Sequence, residues 1–393
     1  MRIGFLWQCV YPWDVRLEKM VNAVLDGGYE ASIICKGSPS LPPCERSRGL
    51  TIRRLWSHAP AIPLVLKRLT TYPLYFNPLW AHHTSKAILD DRIDLLIVRD
   101  IPLAVMGARV GRKLGIPVIL DMAENYPAAL IAYKKSLYKP FLFSNGWLPR
   151  RYEREAVRQV DHVFVVAEEQ RQRLLAQEIP SEKLTLVGNT PPMSFIRSAS
   201  PSQATGAADR SPNLLYVGFL DPHRGADTVI RALPAILSEI PDLTVTLVGD
   251  GRAREGLRAL AEDLGVSKSV TLPGWISFDR VPEYIQNSAI CLIPHLECEH
   301  TNTTLPNKLF DYMAFSKPVI AANCRPLTRI IEETSCGVTY KSGDVADLSR
   351  AIKQVLWDPE RAAKGKNGRR AVELKYNWER DKTIFLNVLH QYS

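Results

Sequence analysis

The sequence has no long hydrophobic run. Nowhere do about 20 apolar residues follow one another, so no segment has the length a bilayer-spanning helix needs. It has no Cys-x-x-Cys pair. The seven cysteines, Cys9, Cys35, Cys44, Cys291, Cys298, Cys324 and Cys336, are scattered, several of them inside apolar runs. That usage predicts buried free thiols in a reducing compartment rather than disulfides or zinc ligands. The opening MRIGFLWQCVYP carries one Arg and a short apolar run, too short and too poorly flanked for a signal peptide, and it reads as a first strand. No acidic metal-binding cluster, no short internal repeat and no nucleic-acid motif is evident. The expected location is cytoplasmic, with a peripheral place on the inner face of the cell membrane as a further option.

What is present is ordinary in bulk and informative in pattern. Of 393 residues, 46% are hydrophobic and 23% charged, and two domains is the natural expectation at that length. The net charge of +9 favours an anionic partner. Apolar strand candidates alternate with helical patterns throughout: IGFLW (3–7), ASIIC (31–35), LLIV (95–98), PVILD (117–121), HVFVV (162–166) and LTLVG (184–188), then LLYVG (214–218), TVTLVG (244–249), VTLPG (270–274), ICLIP (290–294), PVIAA (318–322) and GVTY (337–340). Continuous apolar strands separated by helices predict an α/β protein with parallel sheets covered on both faces. RSASPSQATGAADRSPN (197–213) is the best linker. The predicted layout is a domain over 1–195, a linker over 196–213, a second domain over 214–370 and a terminal helix over 371–393 that crosses back to the first domain.

Parallel sheets bind ligands beyond the carboxyl ends of their strands, so the strand-to-helix loops carry the candidate chemistry. Gly249-Asp-Gly251 follows one strand, but Arg254 stands where a dinucleotide fingerprint needs its third glycine. Gly218-Phe-Leu-Asp-Pro-His-Arg224-Gly225 follows another; helix amides plus a guanidinium suit a pyrophosphate. The third loop is HTNTTLPNKLFDYM (300–313). Pro306 suits a first helical turn, and Thr303 and Thr304 offer hydroxyl caps and loop amides. Lys308 and Asp311, three apart, share a helix face. A cation near a helix start is disfavoured by the helix dipole unless an anion is bound there, and Asp311 can accept from a ribose diol.

These segments together resemble family 4 retaining glycosyltransferases of the GT-B fold, two Rossmann-like domains facing each other across a cleft. VGFLDPHRGADTVIRAL (217–233), LTVTLVGDG (243–251), VTLPGWI (270–276) and LPNKLFDYMAFSKPVIAAN (305–323) resemble the donor-binding domain in order and spacing. DVRLEKMVNAVLDGGYEASIIC (14–35), VRDIPLAVMGARVGRKLGIPVILDMAENYP (98–127) and LVGN (186–189) are similar to the acceptor-side domain. The resemblance implies a sugar transfer from a nucleotide-diphosphate sugar, UDP- or GDP-linked, to a glycan or polyprenyl-linked acceptor, and the basic, aromatic stretches 61–83 and 131–158 make bacterial surface polysaccharide synthesis the expected setting. It implies no cofactor and no metal.

Residue by residue, the resemblance implies that Arg224 and Lys308 stabilise the diphosphate, and Glu124 joins them in the catalytic set. Gly218, Gly249, Thr303, Thr304, Leu305 and Asp311 are expected to bind the donor, and Asp14, Arg16 and Asp121 to serve the acceptor side or closure. Three positions depart from the family pattern: Phe219 replaces a second basic residue, Ala123 a histidine and Thr303 a glutamate. The Thr303–Leu305 amides or Glu299 then take over at the donor sugar, and whether Asp121 or Glu124 faces it stays open. The basic, aromatic stretches 61–83 and 131–158 suit an anionic membrane surface. A nucleotide-sugar 2-epimerase of the same fold, an inactive nucleotide-binding relative and a nucleic-acid binder are the competing readings; the last has no motif to support it.

Overall fold

A computed structural model describes residues 1–12, 14–55, 77–132, 147–199 and 212–392. The chain divides into two compact units. The first is Met1–Gly188 with Asp381–Ser393, and the second is Asn189–Arg380.

The first unit is built on β1 (Arg2–Val10), β2 (Glu30–Lys36), β3 (Cys44–Ser47), β4 (Leu50–Leu55), β5 (Leu95–Arg99), β6 (Val118–Met122), β7 (His162–Val165) and β8 (Leu184–Leu186). The sheet order is β3-β4-β2-β1-β5-β6-β7-β8, and every neighbouring pair is parallel except β3–β4. The central strands β5, β6 and β7 are buried at every position, and apart from Arg99, Asp121 and His162 they read as apolar runs. The β3–β4 hairpin does not read that way. Its strands, CERS and LTIRRL, carry charges, and the buried Arg54 is held by Glu45 across the pair.

The second unit holds β9 (Asn213–Val217), β10 (Thr244–Val248), β11 (Val270–Gly274), β12 (Ile290–Ile293), β13 (Val319–Ala322) and β14 (Gly337–Tyr340). They form one parallel sheet ordered β11-β10-β9-β12-β13-β14. In each unit the first strand lies centrally, β1 between β2 and β5 and β9 between β10 and β12. The strand order reverses there, which opens a crevice at the carboxyl ends.

Two expected boundaries shift. Met193–Ser198, placed partly in the linker from sequence, is a helix whose Ile196 is buried in the second unit's core. Of the expected linker, 200–211 lie outside the described residues. The expected terminal segment 371–393 contains the end of helix Arg361–Leu374 and then helix Trp378–His390. From Asp381 onward the latter belongs to the first unit, where Phe385 packs edge-on against Phe164 and Lys382 pairs with Asp26.

The two basic, aromatic stretches are only partly described. Residues 61–76 and 133–146 lie outside the described residues. Trp80, within the stretch 61–83, is buried in the helix Pro78–Asp91. Helix Trp147–Gln159 does expose Trp147, Arg150, Arg151, Arg154 and Arg158, because Pro149, Tyr152, Glu153, Ala156 and Val157 take its buried face. Among the described residues no helix is long and apolar enough to cross a membrane.

Candidate active site

In the second unit the loops after β9 and β12 meet at the carboxyl end of the sheet. After β9 the chain turns at Gly218, whose φ of 142° favours glycine. A Cβ there would stand 2.5 Å from Lys308 Nζ, so the missing side chain is the space the ammonium occupies. Tyr216, the penultimate residue of β9, is buried; its ring lies 3.9 Å from Lys308 Nζ and its hydroxyl donates to the Phe219 carbonyl at 2.8 Å. One tyrosine thus places both the cation, by attraction to its ring face, and the loop that passes it.

Arg224 ends a short turn, Pro222–Arg224, closed by Arg224 N donating to Asp221 O at 2.8 Å. The Asp221 carboxylate is engaged by Arg252 at 2.8 Å. Gly225, at φ 69°, packs so closely on the segment after β12 that a Cβ would fall 1.9 Å from Pro294 O. Leu296 N donates to His223 O at 3.0 Å, joining the two loops again. Gly249 plays a supporting part: a Cβ on it would lie 2.0 Å from Gly218 O, so its bareness lets the loops close from behind.

Helix Lys308–Ala314 brings Lys308 and Asp311 to this place. Leu309, Phe310, Tyr312 and Met313 are buried beneath it, and the Tyr312 hydroxyl accepts from Val217 N at 2.9 Å. The helix begins later than the sequence suggests. Its N-cap is Asn307, without a side-chain cap, and Pro306 precedes it. Thr303 and Thr304 therefore do not cap it. The Thr303 hydroxyl donates to Glu299 O at 2.7 Å and its amide to His300 O at 3.2 Å. The Thr304 hydroxyl meets His300 Nδ1 at 3.4 Å. Among the described residues, the Thr304 and Leu305 amides donate to no protein acceptor.

The electrostatics are those of converging cations. Burial and then the neighbouring Arg224 push the Lys308 ammonium well below its ordinary pKa, with Asp311 opposing. Three histidines that sequence reasoning passed over line the same place. Burial and Arg224 lower His223 and His300, each to about 4, and burial with Lys308 and Arg224 lowers the fully enclosed His295. His223 and His300 sit edge to face, 6.4 Å between ring centres. The available signal was their number: three of only eight histidines fall in the two site loops. Beside them Phe219 and Trp275, at the ends of β9 and β11, face solvent with ring centres 6.2 Å apart. Among the described residues, no three His, Cys, Asp or Glu side chains are grouped to hold a metal ion.

In the first unit, the ends of β1, β5 and β6 carry a charged network. Arg16 donates to Asp121 at 2.6 and 3.0 Å, and also to Gly188 O at 2.9 Å; neither side chain is more than 1% exposed. Arg99 reaches Asp14 at 3.0 Å and Asp100 at 2.7 Å, and lies 3.6 Å from Asp121. Asp14 also caps the helix Val15–Asp26 by accepting from Leu17 N at 2.8 Å. Burial alone would raise the Asp121 carboxyl, but Arg16 and Arg99 hold it below its usual value. Asp100, absent from the sequence-derived set, sits at φ 63° and ψ 168°, a backbone region nearly confined to glycine. Burial, with Asp121 and Asp14 beside it, raises its carboxyl against the pull of Arg99. The sequence-derived trio Asp14, Arg16 and Asp121 is thus brought together, but Arg16 and Asp121 face each other in the interior rather than an open surface. Glu124 is half-buried in the loop after β6.

Comparison with known proteins agrees with this architecture. Residues 200–371 match the family described as glycosyl transferases group 1, and residues 14–190 match the glycosyl transferase 4-like domain. The chain belongs to the GT-B glycosyltransferases. Its fold is that of solved GT-B structures. Sucrose-phosphate synthase from Thermosynechococcus elongatus superimposes with a TM-score of 0.73 at 18% identity, over 99% of this chain and 98% of that one. Anabaena Alr3699/HepE, solved with UDP, gives 0.73 at 14% identity over 100% of both.

Among curated relatives, a GDP-mannose-dependent alpha-(1-6)-phosphatidylinositol monomannoside mannosyltransferase of Mycobacterium tuberculosis is 27% identical over 174 residues, 43% of this chain and 44% of the relative. An alpha-D-kanosaminyltransferase of Streptomyces kanamyceticus is 24% identical over 258 residues, 64% of each. The match thus spans under half of the mannosyltransferase and just under two thirds of the kanosaminyltransferase.

Proposed function

We propose that this chain is a retaining, metal-independent sugar transferase using a nucleotide-diphosphate sugar. The observation that carries the reading is the convergence of Arg224 and Lys308, from separate loops, at the carboxyl end of the second sheet. Two cations brought together at a cost in ionisation suit a multiply charged anion. In transfer, the bond from the sugar's anomeric carbon to the diphosphate breaks and its electron pair leaves with the diphosphate oxygen. Arg224 and Lys308 stabilise the charge that grows there, more in the transition state than in the ground state. The acceptor hydroxyl oxygen bonds to the same face of that carbon, and its proton passes to the departing phosphate. Asp311 accepts from the ribose, and the Thr304 and Leu305 amides point to the donor sugar. Glu124, in the loop after β6, is our third candidate for the catalytic set. Arg16, Asp121 and Asp14 support the acceptor side by fixing the strand ends.

The acceptor we infer is a glycan or polyprenyl-linked glycan, in bacterial surface polysaccharide synthesis. Structures of HepE with UDP and with UDP-glucose, and the names of the GDP-mannose-dependent relatives, support a UDP- or GDP-linked donor. A thermal-shift panel of UDP, GDP and dTDP tests the reading. A nucleotide at 100 times its Kd stabilises by about 2.7 kcal/mol, so one of the three should raise the melting temperature by several degrees. No shift with any of them at millimolar concentration contradicts it.

We infer a peripheral membrane place, a reading supported by the exposed arginines of Trp147–Gln159 with Trp147 beside them. The protein should co-sediment with vesicles containing anionic lipid, and less so after Arg150, Arg151 and Arg154 are changed to Gln. Equal binding to neutral and anionic vesicles counts against it.

A further inference from the structure

His295 follows Pro294 at the end of β12, is 2% exposed, and presents Nε2 to Arg224 Nη1 at 3.3 Å. A guanidinium only donates, so the imidazole must accept at Nε2, and a proton on the ring resides on Nδ1. The backbone holds the ring in place. The His295 carbonyl accepts from Ser342 Oγ at 3.3 Å and from Cys324 Sγ at 3.7 Å. The Gly225–Pro294 contact and the Leu296-to-His223 hydrogen bond fix the same segment to the arginine loop. A protonated imidazole there would lose its acceptor and face Arg224, Lys308, His223 and His300 as a fifth basic group. Burial, Lys308 and Arg224 all favour the neutral ring.

We propose that His295 is a positioning residue for Arg224: its buried Nε2 holds the guanidinium in the single orientation that meets the donor diphosphate. The arginine side chain has several rotatable bonds, and fixing it before the ligand arrives removes an ordering cost from binding. The inference rests on the reading of Arg224 as a diphosphate contact and adds the group that aims it.

Substitutions separate the two ideas. His295→Phe keeps the ring and removes the acceptor; His295→Asn is polar but too short to reach Arg224; His295→Gln can place an acceptor near the Nε2 position. Binding of the nucleoside diphosphate that stabilises the protein is measured by calorimetry, with the folded state of each variant checked by thermal unfolding. His295→Phe and His295→Asn should weaken binding about tenfold, and His295→Gln less than about threefold. In an Arg224→Ala background His295→Phe should add nothing, because non-additivity marks residues that act as a unit. In turnover, KM for the donor should rise while KM for the acceptor stays unchanged. If His295→Phe does not fold, the Asn and Gln pair still decides. Wild-type binding by the Phe or Asn variant, with Arg224→Ala weakened, overturns the role of His295 and leaves the clamp standing. An equal loss from His295→Phe in both backgrounds also overturns it. Wild-type binding by Arg224→Ala overturns the reading of the clamp itself.

Discussion

Arg224→Ala should lower kcat by about 100- to 1,000-fold, since removing one preorganised donor from a site of developing negative charge costs about 2.7–4 kcal/mol. Lys308→Ala should fall in the same range. In the proposed mechanism both contacts strengthen as the diphosphate departs, so the loss should appear in kcat as well as in kcat/KM. Lys308→Arg is not expected to restore activity. The ammonium lies over the Tyr216 ring and beside bare Gly218, where a Cβ would already stand 2.5 Å away, and a planar guanidinium has no room there. The measurement is initial-rate transfer or hydrolysis with the accepted nucleotide sugar. Turnover within threefold of wild type for both alanine variants would remove these residues from the catalytic step.

Asp121→Ala should destabilise the first unit by about 3–5 kcal/mol, the cost of leaving a buried charge without its partner. Asp121 is fully enclosed, receives Arg16 at 2.6 Å and lies 3.6 Å from Arg99. Its loss leaves two guanidiniums with, among the described residues, Asp14, Asp100 and the Gly188 carbonyl to face. Replacing both partners, Arg16→Met with Asp121→Leu, should recover much of the loss, because a buried ion pair exchanged for apolar packing is often neutral. Equilibrium urea unfolding reads both effects. A loss below 1 kcal/mol for Asp121→Ala would mean that water reaches the pair.

The sheets were legible because parallel strands buried on both faces are apolar at nearly every position, and a run such as LLIV or VIAA has few other uses. The β3–β4 hairpin was not, since Arg54 is buried by a partner nine residues away and local hydropathy does not register an ion pair. In the site, Arg224 and Lys308 stood out because a cation beside a strand-end glycine loop has a chemical reason to be there. The histidines did not: their character comes from loops about 70 residues apart meeting at Arg224, a distance no spacing rule spans. Thr303 misled in the opposite direction. A hydroxyl before an apolar helix suggests a cap, but this one turns back on its own loop carbonyls. Arg16 and Asp121 were likewise expected to serve the acceptor side or closure, while their pairing across 105 residues encloses both.

In the proposed site, the second unit holds a diphosphate between Arg224 and Lys308. Titration of the stabilising nucleoside diphosphate against the same nucleoside without phosphates, at low and physiological salt, tests it most directly. Two charge-assisted contacts predict that the diphosphate binds at least about 100-fold more tightly, by a margin that shrinks as salt rises. Equal affinity for the nucleoside and its diphosphate, or a difference indifferent to salt, would contradict it.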